Sequence, residues 1–335
     1  MASTLIEDEK HPFDLLALYV AVEGKLVDAY SAKFKVWDAS SGLPGAQLVA
    51  ETIVTTGTGH LSTGRYGVVV SDLAWTPAAT CKRGYVRWTY TLESGGDEYV
   101  VLRGFEVVAN STALRPGPAL CLMQDVRDFD PDAVALADRD LLETLRQWKV
   151  VVEEYARTSF TPSYTTKRIM GSRSSRLQLD TVVYAIDSFR PNDADTSVTI
   201  DDDVLVGTER QNPWIALRGV NEGSIFDVSF SGRFETGRPN YVRGVWGTID
   251  GETLGPPSPV EQIVGAKGGS IVALDGSGSE AGPLKMEMTD QHMVQYAVSS
   301  SQARIAMMSL LRDNEVRDVL DQFRGPMLLG MPGTR

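Results

Sequence analysis

Short apolar and aromatic runs follow one another between residues 17 and 108, and clusters of turn-forming residues separate them. Two of these runs alternate apolar and polar positions as strands with one buried face do, and no helical stripe interrupts the series. This spacing predicts an immunoglobulin-like β-sandwich over residues 1–108, with an N-terminal arm. The predicted strands are 17–22, 32–40, 67–71, 85–92 and 99–108.

A stretch rich in proline and glycine follows and predicts a linker over residues 109–130. Asp130 and Pro131 have the sequence of a helix start, a capping carboxylate followed by proline at the first helical position. The predicted helix spans about 131–157. Its apolar residues recur at steps of three and four on one face, and we interpret them as a candidate subunit-contact surface: Leu141, Leu145, Trp148, Val152 and Tyr155.

The rest of the chain mixes strand and helix patterns, so the predicted fold class is α+β, with a second domain over residues 131–325. Residues 165–248 predict a β-rich insertion, and 258–267 and 301–324 predict two further helices, the first weakened by Gly265, Gly268 and Gly269. Residues 284–298 predict a strand. Asp313 and Asn314 are expected to break or cap the last helix.

Length and charge limit the classes of function. The 335 residues suffice for about two domains, and the formal charge of −12 argues against a protein whose main task is to grip nucleic acid. Only two cysteines occur, which indicates a reduced compartment rather than a disulfide scaffold. The acidic N-terminus is not a secretory signal, and no apolar run is long enough for a membrane helix, so we expect a soluble protein made in the cytoplasm.

Motifs that carry chemistry are scarce. Three isolated histidines, no paired CxxC, no HExxH and no nucleophile elbow lead us to expect no catalytic residues, no cofactor and no metal. Residues 57–64 are glycine-rich but fit a hairpin turn better than a phosphate loop. Arg233, Arg238 and Arg243 interleave with aromatic residues, a pattern that favours a strand surface or a subunit contact over base stacking.

Four short sequence segments in the second half of the chain carry a resemblance to a known family. Residues 141–160 contain a "VExYxxxxF" phrase, and residues 165–179 contain a glycine, small residues and "L-x-L". Residues 242–247 read "V-x-G-x-W-G" before a proline-started helix at 256–266. Residues 285–296, a helix and the phrase at 323–326 close the series. In this order, residues 136–330 resemble the head-to-tail connector (adaptor) proteins of tailed bacteriophages.

The resemblance implies a structural virion protein at the neck, the head-to-tail interface. It implies a homo-oligomeric ring of twelve copies that binds the portal protein and a downstream neck or tail-completion protein. Genomic DNA would pass through the channel without sequence-specific binding, and no membrane is involved. An acidic lining agrees with this role because it repels the DNA backbone. The N-terminal sandwich would be free to touch capsid or decoration proteins.

The last residues form a candidate portal-docking tail, residues 326–335. The residues assigned to docking are Arg324, Pro326, Met327, Leu328, Leu329 and Met331. The apolar members lie in a terminal segment that is too short to pack on itself, which is the reason to expect a partner.

Two alternatives stay open. A tail, baseplate, receptor-binding or carbohydrate-binding module is suggested by the β-rich halves and by the tryptophans Trp75, Trp88, Trp214 and Trp246. A hydrolase that acts through two distant carboxylates, such as Asp187 and Glu222, is the third hypothesis, although no sequence pattern selects that pair.

Overall fold

The computed structural model describes residues 2–6, 16–39, 46–55, 59–67, 82–108, 117–194, 197–198, 200, 204–217, 233–278 and 313–325. Strands and helices are mixed along this part of the chain, and the predicted α+β fold class is confirmed. Within it, no helix is both long enough and apolar enough to cross a membrane.

The strands of the described residues lie in four sheets. They are β1 (Ala2–Ile6), β2 (Leu18–Tyr19), β3 (Ala21–Val22), β4 (Lys25–Leu26), β5 (Ser31–Asp38), β6 (Gln47–Ile53), β7 (His60–Ser62), β8 (Arg65–Tyr66), β9 (Lys82–Thr91), β10 (Tyr99–Val108), β11 (Gly117–Ala119), β12 (Ser163–Met170), β13 (Arg176–Gln178), β14 (Val183–Arg190), β15 (Val204–Gly207), β16 (Trp214–Leu217) and β17 (Pro239–Trp246).

The helices are α1 (Met123–Phe129), α2 (Asp138–Ala156), α3 (Gly268–Gly278) and α4 (Asn314–Gln322). Short 3-10 turns cover Pro131–Ala135 and Pro191–Asp193. A π-helix, Val260–Lys267, leads directly into α3.

The largest sheet has the order β11-β1-β10-β9-β5-β6, and its centre is antiparallel. The strands predicted at 32–40, 85–92 and 99–108 are confirmed as β5, β9 and β10. Their alternation places Val36, Trp88 and Phe105 on the buried face, each fully inaccessible to solvent. A short second sheet, β2-β8-β7, covers this face as the second layer. Most of the strand predicted at 67–71 lies outside the described residues.

The second half contains two sheets of the β-rich region, β12-β17-β14-β4-β3 and β13-β16-β15. They share a core built around Phe189, Phe234 and Trp246. Two N-terminal strands, β3 and β4, join the larger of these sheets, and Ala185, Val245 and Leu254 enter the core of the first half. The two predicted domains therefore share both a sheet and a core.

The second half of the segment predicted as a linker, 109–130, forms a strand and a helix instead. Residues 117–119 form β11 and residues 123–129 form α1, while 109–116 lie outside the described residues. Met123 and Val126 of α1 are fully buried with Leu141 and Leu142 of α2. The apolar run after Pro118 packs into a core, and this is why it does not behave as a linker.

Helix boundaries agree with several capping signals. The Asp130 side chain accepts a bond from the backbone N–H of Asp132, and Pro131 stands at the first position, although the turn it starts is a 3-10 turn. The long helix α2 begins only at Asp138. Asp313 caps α4 by accepting from the N–H groups of Glu315 and Val316, so the predicted cap is confirmed. The predicted strand at 284–298 and residues 301–312 lie outside the described residues.

The glycine-rich helix runs further than its sequence indicates, through the π-helix and α3 to Gly278. A Cβ atom at Gly265 would approach Cys121 to 3.0 Å, and one at Gly268 would approach the Trp148 ring to the same distance. The glycines thus permit close packing on α2 and on residues 120–121, and this packing compensates for their poor helix propensity.

Candidate interaction surfaces

The face of α2 that we interpreted as a subunit contact lies inside this chain. Leu141, Leu145, Trp148 and Val152 are between 0% and 2% exposed. The Trp148 indole donates a hydrogen bond of 2.7 Å to the carbonyl of Val264 in the π-helix. These four side chains are not available to another subunit, because α1, the π-helix and α3 of the same chain cover them. This corrects the sequence interpretation.

Tyr155, the fifth residue of that set, is partly buried at the end of α2, where its hydroxyl donates to Asp321 of α4 at 3.1 Å. The Arg324 guanidinium lies over the Tyr155 ring at 4.9 Å and 3.6 Å from the Asp321 carboxylate. Of the predicted docking tail, only Arg324 is described. Pro326, Met327, Leu328, Leu329 and Met331 lie outside the described residues.

Several segments of the chain meet at the C-terminal end of α2, and we call this region the junction. The Glu153 carboxylate accepts bonds from the Phe160 N–H at 2.9 Å and the Ser159 hydroxyl at 2.8 Å. These contacts close the turn that follows the helix. The Lys149 ammonium lies 2.8 Å from the same carboxylate. A carboxylate bound to a backbone N–H and a cation one turn earlier holds the chain in a fixed direction after α2.

The "V-x-G-x-W-G" strand ends at this junction. The Thr248 N–H donates to the Ser159 carbonyl at 2.7 Å, and the two hydroxyls of Thr158 and Thr248 are 2.9 Å apart. Gly247 has a φ of +134°, and a Cβ atom there would lie 2.9 Å from the Ser159 carbonyl oxygen. Only glycine fits this combination of dihedral angle and close approach.

The last described residue also belongs to the junction. The Gly325 N–H donates to the Ala156 carbonyl at 2.7 Å, and a Cβ atom at Gly325 would clash with the Arg157 carbonyl oxygen. The chain therefore enters residues 326–335 from a buried point at the C-terminal end of α2.

A second surface is a groove of about 1480 Å³ between the outer face of the six-stranded sheet, α1 and the π-helix. Trp37 and Tyr85 stack in it, with ring centroids 5.1 Å apart and planes 17° apart. Leu102 and Phe129 line it and are 46% and 53% exposed. Sequence reasoning missed these residues; the outward half of the strand alternation was the signal that could have found them.

Carboxyl groups border this groove and the core below it. Glu106 is fully buried and accepts bonds from the N–H groups of Met123 and Gln124 at 2.9 and 2.7 Å. Burial raises the pKa of Glu106 to about 7. Burial also raises the pKa of Asp125 and that of Glu261, although the Arg83 guanidinium lies 2.6 Å from Asp125. The sequence has no pattern that reveals these shifts.

Cys121 and His60 are the described members of the cysteine and histidine set. Cys121 is buried, and burial raises the pKa of its thiol, which makes it a poor nucleophile. His60 lies 3.0 Å from the Asp28 carboxylate, while His11, His292 and Cys81 lie outside the described residues. In the part of the chain that the structure describes, no three side chains of the metal-binding types come together.

Some of the residues named for the two alternative functions are described by the structure. Asp187 is 3% exposed and pairs with the Arg243 guanidinium at 3.1 Å, whereas Glu222 lies outside the described residues. Trp88 and Trp246 are core residues, and Trp75 lies outside the described residues. Trp214 is partly buried, and the Arg176 guanidinium lies 4.3 Å above the centre of the Trp214 ring. Of the aromatic residues interleaved with arginines in that region, Phe234 is buried as well, whereas Tyr241 is partly exposed and lies beneath the Arg190 guanidinium.

No family model and no curated protein matches this chain. Among solved structures, it is similar to a chain in the neck of an empty GTA (gene transfer agent) particle computed with C6 symmetry. The sequence identity is 13%, and the match covers 62% of this chain and 91% of that chain. The TM-score of 0.35 marks a weak structural similarity.

Proposed function

We propose that this chain is a structural head-to-tail adaptor of a virion, without catalytic activity. It would assemble as a ring below the portal, extend the DNA channel and join the head to the neck or tail. The observation that supports this proposal is the junction at the C-terminal end of α2. Three phrases of the adaptor resemblance, from residues 152–160, 242–247 and 323–325, meet there through the bonds of Glu153, Thr248 and Gly325.

The junction also supports a docking role for the tail. Gly325 is bonded to the end of α2, so residues 326–335 start from a fixed point of the folded unit. Ten residues can extend by roughly 33 Å, which is enough to reach a neighbouring ring. The tail carries Met327, Leu328, Leu329 and Met331, and apolar side chains of this kind gain most when a partner buries them.

The charge of the chain is compatible with a DNA channel. A formal charge of −12 repels the phosphate backbone, whereas a basic lining would retain it by releasing counterions. We expect the ring to let DNA pass without sequence-specific contacts.

Deletion of residues 326–335 tests the proposal. The Gly325 bond to Ala156 stays in place in the truncated chain, so its urea midpoint should equal that of the full chain. Binding to portal rings from the same virus should be lost, as measured by native mass spectrometry and negative-stain imaging of the mixture. A matched control, Thr334→Ala with Arg335→Ala, keeps the apolar residues and should still bind. Retention of portal binding by the truncated chain would contradict the docking role.

The stacked pair Trp37 and Tyr85 supports one alternative, a receptor-binding or carbohydrate-binding module of the tail or baseplate. Sugars bind on aromatic platforms beside polar groups, and Arg83 and Arg87 line the same groove. A glycan array tests this alternative directly. Specific binding that Trp37→Ala abolishes, together with indifference to portal rings, would favour it over the adaptor.

A further inference from the structure

One end of the sheet β12-β17-β14 carries an exposed face rich in arginine. At the other end of the same face, Ala185 and Val245 pack on the N-terminal core. In the pairing register, Arg168 and Arg190 both lie opposite Tyr241, and Thr166 lies opposite Arg243. We call this the basic face; its residues are Thr166, Arg168, Met170, Arg190, Tyr241 and Arg243.

The basic face carries three guanidinium groups, and one of them, that of Arg243, is paired with the Asp187 carboxylate at 3.1 Å. The Arg190 guanidinium lies over the Tyr241 ring at 4.2 Å, and the carboxylate of Asp193, which is largely exposed, is 4.0 Å away. Arg168 is exposed, and no described carboxylate lies within 4.0 Å of its charged group. Met170 is 40% exposed and offers an apolar contact beside these charges.

A surface of opposite character lies where α1, the first 3-10 turn and α2 meet. We call it the acidic corner; its residues are Asp128, Phe129, Asp132, Val134, Asp140 and Glu143. Phe129 and Val134 are 53% and 61% exposed. Buried Ala133 and Leu141 fix the backbone below them, and the Arg127 guanidinium ties this region together by binding Asp138 at 2.6 Å.

The two surfaces belong to separate parts of the fold. The basic face covers the core of Phe189 and Val242, whereas the acidic corner covers the core of Met123 and Leu141. One copy can therefore offer both surfaces at the same time. A contact between two different surfaces is heterologous, and repetition of such a contact closes a ring when its rotation permits.

We propose that the basic face binds the acidic corner of a second copy of this chain. The inference rests on the proposed ring, which requires a repeated head-to-tail contact. Charge complementarity sets the register and speeds the encounter, and Phe129 and Val134 supply apolar area against Tyr241 and Met170. Nucleic acid is a poorer occupant, because Arg243 is already paired with a buried carboxylate and the chain as a whole is acidic.

Charge reversal on each surface tests the contact. Variant A carries Arg168→Glu and Arg190→Glu on the basic face, and variant B carries Asp132→Lys and Asp140→Lys on the acidic corner. Self-association of the full chain is measured by sedimentation at low and high salt. Each variant alone should associate at least about tenfold more weakly than the wild type, and added salt should weaken the wild type.

Mixing A with B should restore association. The acidic face of A then meets the basic corner of B, and the unchanged corner of A meets the unchanged face of B. Native mass spectrometry should show alternating species with equal numbers of both variants. This rescue excludes misfolding as the cause of the single defects. A matched control, Arg87→Glu with Arg317→Glu, changes the net charge as A does and should associate as the wild type.

Several results would overturn the contact. These are a wild-type chain that stays monomeric at low salt, single variants that associate normally, and a mixture without rescue. A salt-sensitive complex of the wild type with a short DNA duplex, lost in variant A, would identify nucleic acid as the occupant instead.

Portal binding is a separate readout. A chain that binds portal without charge-dependent self-association retains the adaptor role and loses this contact, and the converse result retains the contact and loses the adaptor role.

Discussion

At the residue scale, Glu106 shows how much a single side chain depends on its tertiary surroundings. In the sequence it occupies an ordinary position of a strand. In the fold its carboxyl group lies below the start of α1, bound to two backbone N–H groups and closed off from water. The two bonds favour the charged form, but burial outweighs them and raises the pKa to about 7.

Stability should therefore fall as the pH rises through the window of this group. In the unfolded chain the carboxyl group titrates near its ordinary pKa of 4.5, so between 4.5 and about 7 the native state holds a proton that the unfolded state lacks. The free energy of unfolding decreases with pH wherever the native state binds more protons, by at most about 1.4 kcal/mol per pH unit for one group. The raised pKa values of Asp125 and Glu261 also make the free energy of unfolding decrease as the pH rises.

Urea unfolding at several pH values measures this slope. The Glu106→Gln side chain does not titrate, so the free energy of unfolding should change less with pH between 4.5 and about 7. The remaining dependence should come from the other buried acids. Glu98→Gln is the matched control, because Glu98 is exposed and should leave the slope unchanged. An equal slope in the wild type and Glu106→Gln would show that Glu106 does not titrate in this way.

At the element scale, the helix from Val260 to Gly278 shows packing overriding propensity. Its glycines predict a weak, short helix, but a Cβ atom at Gly265, Gly268 or Gly269 would lie within 3.0 Å of another element. A Cβ atom at Gly268 would lie 3.0 Å from the ring of Trp148, which cannot move easily because it is fully buried and hydrogen-bonded to Val264. The fold uses small residues here for close approach of two helices.

The substitution Gly268→Ala distinguishes helix propensity from packing, because the two change the free energy of unfolding in opposite directions. Helix propensity alone would make the variant more stable by about 1 kcal/mol. The contact with Trp148 predicts a loss of about 1–3 kcal/mol instead, because overpacking forces rigid neighbours to shift. Chemical denaturation measures the difference. In a Trp148→Leu background the ring is absent, and the same substitution should cost less; an undiminished cost there would assign the effect to another cause.

At the scale of the whole molecule, the two halves are expected to unfold together. Val245 belongs to the second half by sequence and to the core of the first half by position, and Ile186 of β14 pairs with Lys25 of β4. The shared core couples β9 to β17 although about 150 residues of chain lie between them.

Val245→Ala tests this coupling. The cavity should lower the free energy of unfolding by about 2 kcal/mol, in the range seen for the removal of buried methyl groups. Hydrogen exchange followed by mass spectrometry should show faster exchange in peptides covering β9 as well as β17. Unchanged protection in β9 would show that the halves open independently.

The sequence by itself determined the fold class, the central strands of the first half, the caps at Asp130 and Asp313 and the apolar face of α2. These features depend on spacing and on local hydrogen bonds, which a linear pattern records directly. Only the tertiary structure decided which layer covers that face of α2, that residues 117–130 pack rather than link, and that Glu153, Thr248 and Gly325 meet at one junction. Such outcomes depend on contacts between residues far apart in the chain, and burial there competes with local preference and prevails over it.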